Sequence, residues 1–128
     1  MNSETFSITN KTKSTLPSVP FGKIKDSALG KDYNLSLVFI GERRSRKLNY
    51  GYREKDKSTN VLSFTLNKKN GEIFITPAVV KRQTKKFERN FQNLVTFLFI
   101  HGLMHLKGMD HGSTMERAEQ KLRKQFGI

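Results

Sequence analysis

From Asn90 to Leu106 the chain is apolar nearly all the way round a helix: Phe91, Leu94, Val95, Phe97, Leu98, Phe99, Ile100, Leu103 and Met104 fall on every face. A surface helix keeps one wet side; a segment without one belongs at the centre of a fold, covered by other elements. Two of the three histidines, His101 and His105, lie on this helix. Four residues apart, they stack one turn above the other on the same face. Gly108 lets the chain turn out of the helix, and the third histidine, His111, can swing back toward the pair.

Three imidazoles converging on one point make a tridentate metal site with a position left open. Zinc is the expected occupant, one ion per chain, and an open position is what separates a catalytic zinc from a structural one closed by four ligands. A lone histidine on an apolar helix is usually a satisfied core residue, but three in this register with a glycine at the turn do not read as packing. The spacing matches the H-E-x-x-H-x-x-G-x-x-H pattern of zinc peptidases except at one place. Where those enzymes carry the general base, this chain has Gly102. Glycine inside a helix costs about 1 kcal/mol relative to alanine. A side chain at 102 would therefore block something, either a packed neighbour or a ligand approaching the metal. Asp110 is either an acceptor for an imidazole N–H or a turn residue.

Charge sets the partner. There are 24 Lys and Arg against 11 Asp and Glu, a formal net charge of +13. That excess favours polyanions, nucleic acid before anionic membrane. The chain has no cysteine, so disulfides and thiolate ligands are excluded and the metal falls to histidine and carboxylate. No secretory signal is visible near Met1, and the longest apolar stretch, Leu94 to Ile100, is far short of a membrane span. Together these fit a cytoplasmic protein with no membrane partner.

The 128 residues form one domain, 1–128, with no repeat or dividing linker. The pattern predicts strands over Thr5–Thr9, Asn34–Ile40, Val61–Leu66 and Glu72–Thr76, the last two joined by a turn at Asn67–Gly71 rich in residues that tolerate positive φ. Helices are expected over Phe21–Leu29, ended by Gly30, and over Gly41–Tyr50, with Leu48 as its main apolar anchor. Another follows Pro77, capped by Thr76; then come the central helix and a last one opened by a Ser113–Glu116 capping box. Arg53 to Asn60 reads as a charged loop. The fold class is α+β, a small mixed four-stranded sheet packed with about five helices and a zincin-like metal helix at the core.

With His101-Gly102-x-x-His105-Leu106-x-Gly108-x-Asp110-His111 in view, the chain resembles the bacterial rRNA maturation factor family, the YbeY-type single-domain metal-dependent endoribonucleases. Asn49-Tyr-Gly-Tyr-Arg53 and Thr59-Asn60-Val61-Leu62-Ser63-Phe64 resemble the family segment ending in Thr-Asp-Val-Leu-Ser-Phe. Gly71-Glu72-Ile73-Phe74-Ile75 resembles its Gly-Asp-Ile strand. The resemblance runs from about Asn34 to the C-terminus; the portion before Asn34 is shorter than usual and matches weakly. Asn60 stands where the family usually has Asp.

The resemblance implies zinc held by His101, His105 and His111, and a catalytic arginine in the cleft, Arg53 by match to the motif. It also implies activity on single-stranded RNA in 16S rRNA 3′-end maturation and ribosome quality control, with the 16S rRNA precursor and the ribosome or ribosomal proteins as partners. Arg53 suits the developing charge on phosphate oxygens. The nucleophile is an activated water or the RNA 2′-hydroxyl. Arg43, Arg44, Arg46, Lys47, Lys81, Arg82, Lys85 and Lys86 are candidates for guiding the strand, as a basic groove or simply as solvated helix faces. The alternatives are a non-catalytic RNA- or ribosome-binding factor with a structural zinc and a zinc peptidase, the latter disfavoured by Gly102.

Overall fold

The computed structural model describes residues 5–109 and 112–128. The elements run β1 (Phe6–Asn10), α1 (Phe21–Leu29), β2 (Asn34–Phe39), α2 (Glu42–Arg53), β3 (Val61–Asn67), β4 (Asn70–Ile75), α3 (Pro77–Gln83), α4 (Phe91–Leu106) and α5 (Ser113–Gln125). The sheet order is β1-β2-β4-β3. β1 and β4 flank β2 in parallel, and β3 pairs antiparallel to β4 at the edge. This is the α+β arrangement expected: one mixed four-stranded sheet and five helices.

α4 is the buried helix. Asn90 caps it, its side chain accepting from the Asn93 N–H at 2.8 Å. Leu94, Val95, Leu98, Phe99, Ile100, Leu103, Met104 and Leu106 are all buried. They share a core with Leu35, Leu37 and Phe39 of β2, Ile73 and Ile75 of β4, and Phe21 of α1. Each such side chain taken out of water contributes about 1.5–3 kcal/mol. In-register pairing of Leu37 with Ile73 and Phe39 with Ile75 sets these residues on one sheet face. The same alternation sets Ser63, opposite Ile73, on that face.

Gly102 lies where α4 crosses the sheet. A Cβ there would stand 2.9 Å from Ser63 Oγ and 3.1 Å from Ile73 Cδ1. Of the two explanations open for Gly102, close packing against the sheet is the one observed. The helix ends in a Schellman motif. Met109 N–H bonds Met104 O at 3.1 Å, Gly108 N–H bonds His105 O at 3.0 Å, and Gly108 has φ +90°. That is the turn out of the helix predicted from Gly108.

Several local expectations are corrected. α2 runs to Arg53, which is therefore helical and not in a loop; Glu54 in the left-handed region (φ 55°) ends it, its N–H on the carbonyls of Asn49 and Tyr50. The helix is anchored not by Leu48, which is only half-buried, but by Ser45 and Asn49. Polar anchors serve because they bond the loop beyond: Ser45 Oγ takes the Thr59 N–H at 3.0 Å and donates to Thr59 O at 3.1 Å, and Asn49 Nδ2 donates to Lys57 O at 2.9 Å.

The β3–β4 turn is Lys68-Lys69, without positive φ. Asn67 Oδ1 holds it by accepting from the Lys69 N–H at 3.0 Å and from Asn70 Nδ2 at 2.7 Å. Thr76 is the N-cap of α3 but makes no side-chain cap bond. α3 stops at Gln83, so Lys85 and Lys86 lie in the turn after it. The Ser113–Glu116 capping box does not form, because the helix starts one residue earlier. Gly112 is the N-cap, and its carbonyl accepts from the Glu116 N–H at 3.0 Å.

Candidate metal centre and substrate cleft

α4 is not buried on every side. Phe97, His101 and His105, at four-residue spacing, are half-buried and open onto a cleft of about 870 Å³. Its other walls are Tyr52 and Arg53 from α2, Thr59 and Asn60 just before β3, Val61 to Thr65 along that edge strand, and Phe87 before α4. Arg53, at the end of α2, and the two histidines, at the end of α4, thus meet around one cavity. Asn49 and Ser45 hold the loop between α2 and β3 against α2, and this sets the wall that carries Arg53, Thr59 and Asn60.

The two imidazoles stand at 89°, their Nε2 atoms 3.1 Å apart. His101 Nδ1 lies 3.1 Å from Glu119 Oε2, a buried carboxylate on α5. Glu119 also meets Arg123 at 3.5 Å. A carboxylate oxygen accepts, so Nδ1 is the donor in this contact and His101 presents Nε2 toward His105. Two nitrogens each about 2.05 Å from a tetrahedral zinc lie about 3.3 Å apart. The Nε2 pair and the carboxylate behind His101 therefore fit a metal. Among the described residues no cluster of three or more His, Cys, Asp or Glu is suited to an ion. The third expected ligand, His111, and Asp110 lie outside those residues.

Glu119 is the residue that the sequence reading missed. It interrupts the buried stripe Met115, Glu119, Leu122 of α5. A carboxylate at an apolar position of an amphipathic helix is the sequence signal that marks it. Ser63 was also missed as a site residue; it lines the cleft and donates to Gly102 O at 3.2 Å. Asn60, in place of the family's aspartate, lines the cleft too and donates from Nδ2 to Gln83 Oε1 at 2.8 Å, a bond an aspartate has no proton to make.

None of the eight other basic candidates is among the residues lining this cleft. Arg46 is held by Asp56 in a two-pronged pair at 2.6 and 3.0 Å, and Arg82 by Glu42 at 2.7 and 2.8 Å. Both clip α2 to its neighbours. Arg43, Arg44 and Lys47 are exposed on α2. Lys81 and Lys85 share a separate concavity of about 650 Å³ with Arg89, Lys81 lying 5.4 Å over Phe91; Lys86 lies over Phe87. Burial and the nearby Arg123 guanidinium hold Arg89 below its usual pKa. Arg89 and Arg123 both lie over the Phe97 ring, at 4.4 and 4.9 Å.

An α+β domain whose central helix presents an i, i+4 histidine pair to a cleft, with a carboxylate behind the first, is the class that fold and site define. Residues 2–127 match the family Endoribonuclease YbeY. The chain is 33% identical to Endoribonuclease YbeY of Lactobacillus helveticus, over 78% of this chain and 66% of that one. It is 35% identical to that of Bdellovibrio bacteriovorus, over 73% of this chain and 61% of that one. The fold is shared with the solution structure of TM1509 from Thermotoga maritima, with a TM-score of 0.68 at 23% identity over 95% of this chain and 89% of that one. The chain belongs to the Endoribonuclease YbeY family. The match takes in the region before Asn34, where the sequence motifs are weak. The alignments span 61–66% of the length of these curated relatives, just under two thirds.

Proposed function

We propose that this protein is a metal-dependent endoribonuclease that cuts single-stranded RNA, with His101, His105 and His111 as the zinc ligands and Arg53 as the catalytic arginine. The observation that carries it is the meeting of Arg53 with the His101–His105 pair around one cleft. Zinc bound there would supply a Lewis acid and an activated water. Glu119 fixes the His101 ring and keeps the proton on Nδ1. Arg53, planar and permanently charged, binds the non-bridging phosphate oxygens and offsets the charge they gather. The net charge of +13 draws RNA in, with Arg43, Arg44, Lys47, Lys81, Lys85 and Lys86 as the exposed contributors and Arg46 and Arg82 engaged by their carboxylates.

Within the cell the reading is 16S rRNA 3′-end maturation and ribosome quality control in the cytoplasm, on the 16S precursor and in contact with the ribosome or its proteins. Family membership supports it. No helix of the described residues is long and apolar enough to cross a membrane. A peptidase is disfavoured because Gly102 stands where those enzymes carry the general base, and a Cβ at that position would meet Ser63 and Ile73.

A second reading, a binding factor with a structural zinc, draws on the Glu119–His101 contact, which ties α5 to α4. Metal analysis together with cleavage of a single-stranded RNA decides between them. One zinc per chain, and cutting that is lost in a folded His105→Ala, supports the nuclease. One zinc per chain without cutting, and unfolding of His105→Ala, supports the structural ion. The ends left on the RNA separate attack by water from attack by the 2′-hydroxyl.

A further inference from the structure

The cleft has an aromatic lip that the histidine pair and Arg53 leave unused. Tyr52 is 70% exposed although its ring centroid lies 4.6 Å from that of Phe64, which in turn meets Phe74 edge-on at 5.7 Å. The other aromatics of the cleft are already covered. Phe97 lies under Arg89 and Arg123, and Phe87 packs on Phe97 with Lys86 over it. Phe64 is held between Tyr52 and Phe74. Among the described cleft residues, Tyr52 is the aromatic that offers most of its surface to a ligand.

Resting on the RNA reading above, the geometry points to Tyr52 as a stacking platform for one unpaired nucleobase beside the cutting site. Adjacent residues divide the nucleotide: the Tyr52 ring takes the base while Arg53 takes the phosphate. Phe64 and Phe74 back the ring, so it is set in place before the strand arrives. Every base has a π-face, and stacking on a side chain is tolerant of sequence. A duplex keeps its bases stacked on each other and has none to give, so the platform selects single strands by a contact that is independent of the metal. A peptide is a poorer fit, since the cation next to the ring suits a phosphate-bearing ligand.

The test is a fluorescence titration of the full-length protein with an oligoadenylate carrying 2-aminopurine, beside an abasic strand of the same length. Tyr52→Ala weakens binding of the base-bearing strand by about tenfold or more and leaves the abasic strand unchanged. Tyr52→Phe binds both as the parent does. Equal affinity of Tyr52→Ala and parent for the base-bearing strand overturns the platform, as does an equal loss on both strands. If the parent binds neither strand, the RNA reading fails and the platform with it. If the parent binds and Tyr52→Ala is silent, the platform alone fails.

Discussion

Glu119 Oε2 lies 3.1 Å from His101 Nδ1, so a carboxylate on the last helix sets the tautomer and the orientation of a histidine on the central one. Partners of this kind behind metal-binding histidines change affinity by about 10–100-fold when removed. Glu119→Ala is expected to weaken zinc by that factor in a chelator competition. A parent-like zinc affinity in a folded Glu119→Ala chain would show that the contact serves packing alone.

Arg53 is exposed at the end of α2, and in the proposed mechanism its charge acts only as phosphate oxygens gather negative charge. Arg53→Ala should lower kcat for RNA cleavage by about 100-fold or more, with little change in melting temperature. Arg53→Lys should recover part of the loss, because a point charge replaces a planar fork. An unchanged kcat in Arg53→Ala removes this residue from the mechanism.

Gly102 leaves no room on the sheet side of α4: a Cβ meets Ser63 Oγ at 2.9 Å and Ile73 Cδ1 at 3.1 Å. Gly102→Glu completes the peptidase letter pattern, yet it should produce no casein hydrolysis. It should lower stability by about 1–3 kcal/mol through overpacking, a drop of several degrees in a thermal melt. Robust peptidase activity, or an unchanged melting temperature, would refute the packing account.

Ser45 both donates to and accepts from the Thr59 backbone. Ser45→Ala removes both bonds to the half-buried Thr59 backbone, at about 0.5–1.5 kcal/mol each. Because Arg53 and Asn60 belong to the same wall, KM for RNA should rise as well. Stability that falls with KM unchanged would mean that the wall keeps its shape without the clamp.

Glu42 is held below the ordinary carboxylate range, first by its hydrogen bond with Arg82, and Asp56 likewise by Arg46. A lowered folded value gives stability that is present above the unfolded value, near 4.5 for Glu42 and 3.8 for Asp56, and lost as the pH falls through the folded one. Glu42→Gln should therefore melt below the parent at pH 6, with the gap closing in acid. Both groups are exposed, so the effect should be small and shrink in high salt. A gap that stays constant across the pH range contradicts this account.

The central helix, the positions of the four strands, the β3–β4 hairpin and the ends of α1 were legible because they depend on local pattern: all-round apolarity, β-rich runs, and glycine at a stop. The same holds for His101, His105 and the Gly108 turn, whose geometry is settled within a few residues. Arg53 came from a motif resemblance, since one arginine among many carries no local mark.

Other features were illegible locally. The polar anchors of α2 depend on which loop they meet, and Ser45 and Asn49 outrank Leu48 only once residues 57–59 lie against them. Arg46 and Arg82 looked like free cations until folding brought Asp56 and Glu42 to them. The Ser113 capping box failed because helix hydrogen bonding begins at Gly112.

The sequence by itself determined a buried, histidine-bearing helix in an α+β domain of strong positive charge, because hydrophobic periodicity and ligand spacing are properties of neighbours along the chain. Only the tertiary structure decided that Glu119 stands behind His101, that Gly102 is a packing glycine, and that Tyr52 and Arg53 share a cleft with the histidine pair. Those are contacts between residues far apart in sequence, and the packing of α2, α4, α5 and the sheet edge brings them together.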